Sequence, residues 1–222
     1  MLRNVLLACG VLASLLYVGT DVAAAICYPA YHSFTARAIS ELMATGAPTE
    51  RLVDPPFLFY DVLMMAFAVG VWRSVPTRRA HITAGLLFTY AALGLLGPTV
   101  FEMNVRGSGA PPMADYLHMA ITGVLVVIIF AIVATAAILR GRAFRIYSYA
   151  TIVTMIAFGI VTGMLSKGLG TTEQTPWLGA AERVNIGAFL LWVAVLAVSL
   201  LRASSREPAP AFPSGLRPAA RG

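Results

Sequence analysis

Apolar runs long enough to cross a bilayer recur along almost the entire chain, at about residues 4–26, 57–74, 81–101, 115–139, 144–166 and 181–202. A hydrocarbon layer of roughly 30 Å takes about 20 residues at a helical rise of about 1.5 Å, so each run fits one crossing. Lipid offers backbone amides no partner, and a helix satisfies them within the segment. With 59% of 222 residues hydrophobic and 12% charged, the chain has more apolar side chain than one soluble core of this size hides. The expectation is an all-α membrane protein, a bundle of six transmembrane helices over residues 1–203. From residue 204 to 222 the Pro, Ala, Ser and Arg composition supports no core and predicts a disordered cytoplasmic tail.

The net charge of +6 sits in short loops beside apolar spans, which makes it a topology signal and argues against nucleic acid as a partner. Arg3, Arg73, Arg78, Arg79, Arg140, Arg142, Arg145, Arg202, Arg206, Arg217 and Arg221 fall on one side of an even-numbered bundle. Only Arg37, Arg51, Arg106, Lys167 and Arg183 fall on the other. The positive-inside rule therefore places both termini in the cytoplasm. The acids Asp21, Glu41, Glu50, Asp54, Asp61, Glu102, Asp115, Glu173 and Glu182 all lie on or near the outer side, so the polar chemistry is expected there. Cys9 and Cys27 are about 27 Å apart along one helix and cannot pair within the chain. The apolar stretch from Val5 to Ile26 is long for a cleaved signal and reads as a retained helix.

The first outer loop has its own pattern. Phe34, Ala38 and Leu42 recur at helical spacing, Ser33 can cap the start, and Gly46 with Pro48 supplies a stop. A short helix at the membrane surface is expected, with Arg37 and Glu41 facing each other at i and i+4.

Among residues that carry chemistry, Asp115 and His118 share a face at the outer start of the fourth helix. A carboxylate there can orient an imidazole, which makes an acid/base pair; the plainer reading is a first-turn acid favoured by the helix dipole beside an interfacial histidine. Asp61 falls about 6 Å inside the second helix if that helix starts at Phe57, where burial begins to demand a partner or water. Glu102 follows Gly97-Pro98, a step that kinks a helix and frees a carbonyl, and it either lines a cavity or shapes a helix end. Glu182 and Arg183 open the last helix about 100° apart and so reach different neighbours. Arg183 is the expected counter-ion of Asp61, Glu102 or Asp115.

Three histidines, with His81 on the opposite membrane face from His32 and His118, assemble no dedicated metal site. The chain carries no phosphate-binding glycine loop, nucleophile elbow or Cys-x-x-Cys, and no cofactor is expected. Gly159-x-x-x-Gly163 reads as a close helix contact.

Ile39-Ser40-Glu41-Leu42 with Thr45-Gly46-Ala47-Pro48, then Asp115 with His118, then Gly179-Ala180-Ala181-Glu182-Arg183 running on to Leu190-Leu191-Trp192, occur in this order across the spans. In that order and topology the chain resembles the prokaryotic membrane family called domain of unknown function 998, over about residues 5–202. The resemblance implies a six-helix fold in the plasma membrane and an outward-facing polar set of Ser40, Glu41, Asp115, His118, Glu182 and Arg183. It implies no established activity.

Three functions compete. The first is a module binding a small molecule or lipid headgroup in an outward cavity, with Arg183 attracting negative charge and Ser40, Glu41, Asp61, Glu102 and Glu182 around it. The second is an enzyme on a lipid or envelope precursor, with His118 as general base and Asp115 orienting it, although no nucleophile is evident. The third, a proton-coupled transporter, calls for charges in several central helices, and mid-helix positions here are almost all apolar. Membrane lipids are the expected surroundings in each case, and nothing in the sequence signals an oligomeric state.

Overall fold

A computed structural model describes residues 1–100, 102–109, 111, 113–166 and 175–204. Its long helices are α1 (Leu2–Cys27), α2 (Glu50–Trp72), α3 (Arg78–Gly94), α5 (Met113–Ala136), α6 (Arg142–Leu165) and α7 (Leu178–Ser204), with a single turn, α4 (Gly97–Val100), after α3. The stretch from residue 205 to 222, expected as a tail, lies outside the described residues.

Five of these helices, α1, α2, α5, α6 and α7, are long and apolar enough to cross a membrane. The third apolar run departs from expectation. Instead of one helix over 81–101 it forms the 17-residue α3, which rises about 25 Å, and then the separate α4. The break has a chemical cause: the residue four beyond Gly94 is Pro98, which has no N–H to return to the Gly94 carbonyl. The second helix departs the other way. It begins at Glu50, seven residues before Phe57, and carries Pro55 and Pro56 inside its second turn. Asp61 therefore lies about 16 Å along α2, near its middle, rather than one turn in.

The helices pack as a circuit, α5 on α3, α3 on α2, α2 on α1, α1 on α7 and α7 on α6, while α5 and α6 touch only sparingly. The tightest approach is between α1 and α2. A methyl group at Gly70 would stand 2.9 Å from the Leu6 backbone, so only glycine lets these two helices come so close. Phe67, Met64, Leu87, Ile132, Phe189, Trp192 and Leu196 fill the core. Several of its polar atoms are paired: Trp192 Nε1 donates to Ser148 Oγ at 2.9 Å, Ser14 Oγ to the Leu190 carbonyl at 2.8 Å, and the Tyr60 and Tyr90 hydroxyls meet at 3.0 Å.

One end of the bundle, called here the loop end, carries residues 28–49, 102–109 and 175–177; the other, the basic end, carries the short turns. At the basic end the Trp72 and His81 rings stack at 4.2 Å across the α2–α3 turn. There Arg140 Nη2 also donates to the Ser199 carbonyl at 2.9 Å. The core is dense toward this end. In α5 the buried residues are Ile129, Ile132, Val133 and Ala136, and in α6 they are Ser148, Thr151 and Met155. Beyond Ile129 in α5 and Met155 in α6, toward the loop end, neither helix has a buried residue. Gly159 meets Asn185 Nδ2 of α7 at 3.1 Å from where its Cβ would be, but Gly163, one turn on, faces open space. The expected close contact thus forms at the first glycine alone.

In the first long loop, the only helical stretch among the described residues is a 3-10 turn, Ser40–Met43. It does not lie on the surface. Ala38, Ile39 and Leu42 are buried against Ala24, Val53 and Phe57, so the loop plugs the bundle between α1 and α2.

Candidate functional site

Three polar networks organise the loop end. The first joins α1 to α7. Asp21, on the last turns of α1, is 7% exposed, and Arg183, on the second turn of α7, meets it with two parallel bonds, Nε to Oδ2 at 2.8 Å and Nη2 to Oδ1 at 2.7 Å. His32 Nε2 completes the set, 2.9 Å from Asp21 Oδ1 and 3.2 Å from Arg183 Nη2. Arg183 Nη1 turns to three carbonyls, those of Arg37 at 2.7 Å, Gly179 at 3.1 Å and Phe34 at 3.2 Å. The loop comes down so closely that a Cβ on Gly179 would collide with the Arg37 carbonyl. The counter-ion expected among Asp61, Glu102 and Asp115 is thus Asp21, and the guanidinium serves as a clamp on protein groups.

The second network surrounds Glu41, which is 1% exposed. Arg106, from the loop before α5, donates Nε to Oε1 at 2.9 Å and Nη2 to Oε2 at 2.8 Å. Arg37 Nη1 lies 3.4 Å from Oε1, the i, i+4 pair expected from the sequence, and the Ala38 amide donates to Oε2 at 2.8 Å. A buried carboxylate is stable only when so paired. Arg106 Nη2 also donates to Thr175 Oγ1 at 2.9 Å, and that hydroxyl donates to the Ala36 carbonyl at 3.0 Å. The Arg37 guanidinium lies over the Tyr31 ring, 3.9 Å from its centroid. Burial raises the Tyr31 phenol above its ordinary range, with Arg37 opposing, and its hydroxyl donates to the Glu41 carbonyl at 3.0 Å.

The third network ties down the loop before α5. Asp115 Oδ1 accepts from the Asn104 amide at 2.8 Å and Oδ2 from Asn104 Nδ2 at 3.3 Å. Thr45 pairs with Asn104 as an isolated bridge and gives its hydroxyl to Glu102.

The residues singled out by sequence are therefore divided among separate tasks. Glu182 accepts the Ile39 amide at 2.8 Å, at the start of the turn that Ser40 opens, so it joins Glu41 and Arg183 around one loop. Asp115 and Glu102 hold neighbouring loops. His118 is half-buried one turn below Asp115, whose two oxygens both face Asn104. Asp61 stands apart, 6% exposed, its carboxylate pressed on α3 where a Cβ at Gly94 would strike it. Asp21, His32, Arg106, Asn104, Tyr31 and Thr175 were missed. A charge inside an otherwise apolar first span was the one signal that pointed to Asp21.

Between the first two networks a pocket of about 330 Å³ opens, lined by Tyr31, His32, Ser33, Arg37, Arg106 and Thr175. Two guanidiniums border it, and a carboxylate they share, Glu41, is buried. Among the described residues no three His, Cys, Asp or Glu side chains gather as a metal site.

A family model described as protein of unknown function (DUF998) matches residues 11–199. No curated protein and no solved structure matches the chain.

Proposed function

The chain belongs to the family of unknown function DUF998, and we propose that it is a multi-pass protein of the plasma membrane whose loop end faces outward and binds an anionic group of a small molecule or lipid headgroup. The arginine-rich turns of the basic end support this orientation, since they are the charges that remain on the cytoplasmic side.

One observation carries the binding reading. Arg37 and Arg106 border the same pocket, so two guanidiniums face one opening together with Tyr31, His32, Ser33 and Thr175. Planar guanidiniums match phosphate and carboxylate oxygens, and partial burial strengthens that attraction. Arg183, with its donors turned to Asp21, His32 and backbone carbonyls, builds the floor rather than recruiting the ligand. Asp115 takes two bonds from Asn104 and so also holds the loop before α5, apart from any acid/base work with His118.

The test is thermal unfolding of the purified chain in detergent, with inorganic phosphate or glycerol phosphate titrated against chloride at matched ionic strength. A ligand at about 100 times its Kd stabilises by about 2.7 kcal/mol, which reads as a higher midpoint. Arg37→Gln is expected to remove the response. If phosphate and chloride act alike on the unaltered chain, the proposal is wrong.

A further inference from the structure

The acid that none of the three networks uses is Asp61. It is buried near the middle of α2, a helix apolar enough to cross a membrane. Among the described residues no basic side chain pairs with it, and no hydrogen bond or ion pair includes its carboxyl group. The flanking cations of α2 itself, Arg51 and Arg73, are about 15 Å and about 18 Å away along the axis. In α3, Arg78, Arg79 and His81 open the helix, whereas Asp61 meets its last residue, Gly94. Helix α1 has no basic residue after Arg3, and Arg183 of α7 is committed to Asp21.

The ionisable groups within electrostatic reach are phenols: Tyr17 from α1, Tyr60 on α2 and Tyr90 from α3, the last two bonded to each other at 3.0 Å. The acids of the surrounding elements lie farther off or are engaged. Glu50 and Asp54 sit about 10 Å or more toward the loop end of α2, Asp21 is held by Arg183, Glu182 by the Ile39 amide, and Glu41 of the 3-10 turn by Arg106.

An ionised carboxylate placed here has no cation to balance it, and a charge so buried is neutralised or drawn out toward water. The contact with α3 favours the neutral form as well. The Gly94 carbonyl receives no helical N–H because residue 98 is proline. A carbonyl repels a carboxylate but accepts the O–H of a carboxylic acid. Both carboxyl oxygens lie so close to Gly94 that a Cβ there would collide with them, so water reaches the ionised form only if α3 draws back.

We infer that Asp61 is a proton-binding site inside the helix bundle, whose carboxyl group holds its proton at neutral pH while α2 closes on α3 at Gly94 and gives it up to alkaline solvent. On release the O–H bond breaks, the electron pair stays on the carboxylate and the proton passes to hydroxide. The site is independent of the arginine pocket, which neither supplies nor balances its charge.

The experiment is infrared difference spectroscopy of the full purified chain in dodecyl maltoside, a detergent without ester carbonyls, between neutral and alkaline pH. The unaltered chain is expected to show the carbonyl stretch of a neutral carboxylic acid at neutral pH. That band should move in heavy water and fade reversibly as the pH rises, with helix content retained by circular dichroism. Asp61→Asn, which keeps the shape without the proton, is expected to lose the band, and Glu182→Gln to keep it. Gly94→Ala, whose methyl group touches the carboxyl, is expected to shift its frequency, and assigns the band even if the Asn variant does not fold. Because the folded chain holds a proton that the unfolded chain releases, raising the pH is expected to lower the unfolding midpoint of the unaltered chain relative to Asp61→Asn. The inference is overturned by a chain without the band at neutral pH, by a band that survives in Asp61→Asn or stays unmoved in Gly94→Ala, or by one that persists in alkali until the chain unfolds.

Discussion

Arg183 closes on Asp21 through two parallel bonds although the residues are 162 positions apart, and the same guanidinium holds the carbonyls of Phe34, Arg37 and Gly179. Helix α1, helix α7 and the first loop meet on this one side chain. Lysine cannot replace it, because an ammonium lacks the planar fork. Arg183→Ala, which leaves Asp21 without its cation, is expected to lower stability by roughly 3–5 kcal/mol, the usual cost of breaking a buried pair from one side. Unfolding in detergent checks this; a loss under about 0.5 kcal/mol, the range of surface substitutions, would show that the clamp does not matter.

The contact between Asp61 and Gly94 makes a paired prediction. Gly94→Ala places a methyl group into the Asp61 carboxylate and is expected to cost about 1–3 kcal/mol, as overpacking does. In an Asp61→Ala background the same change is expected to be nearly neutral. Additive losses in the double-mutant cycle would mean that the collision is relieved elsewhere.

Asn104 and Asp115 act as one unit, so Asn104→Ala and Asp115→Ala are each expected to cost about 0.5–2 kcal/mol, comparable to losing a helix cap, and together little more than either. Limited proteolysis between residues 102 and 111 provides the readout. Independent, summing effects would separate the two residues.

The two native cysteines report orientation without any added label site. Cys27 is exposed at the loop end of α1, while Cys9 is buried toward the basic end. A membrane-impermeant maleimide applied to intact cells is expected to mark the chain, and Cys27→Ser to abolish the mark. Labelling that appears only after permeabilisation would reverse the proposed topology.

Much of the helical architecture was legible because apolar length is a property of each segment alone. Its errors arose at prolines. Pro55 and Pro56 argue locally against helix, yet α2 runs through them from Glu50, and the carbonyls of Arg51 and Leu52 receive no N–H from four residues on. At Pro98 the expected kink became a full break after Gly94. The site was harder to read. Arg37 with Glu41 followed from spacing, and the divergence of Glu182 from Arg183 followed from helix geometry. The partners Asp21 and Arg106 did not, because each meets its counterpart through the packing of helices and loops far apart in sequence, and no local period encodes that meeting.

The clamp between α1 and α7 also sets a schedule for biosynthesis. Asp21 leaves the ribosome 162 residues ahead of Arg183, which at about 5–20 residues per second is a wait of roughly ten to thirty seconds. During that interval a carboxylate destined for burial resides near the membrane without its arginine, and the loop that Arg183 gathers has no anchor on the final helix. The circle of helices can be sealed only after the last one arrives, so a nascent chain halted before α7 is left with an open seam beside its first helix.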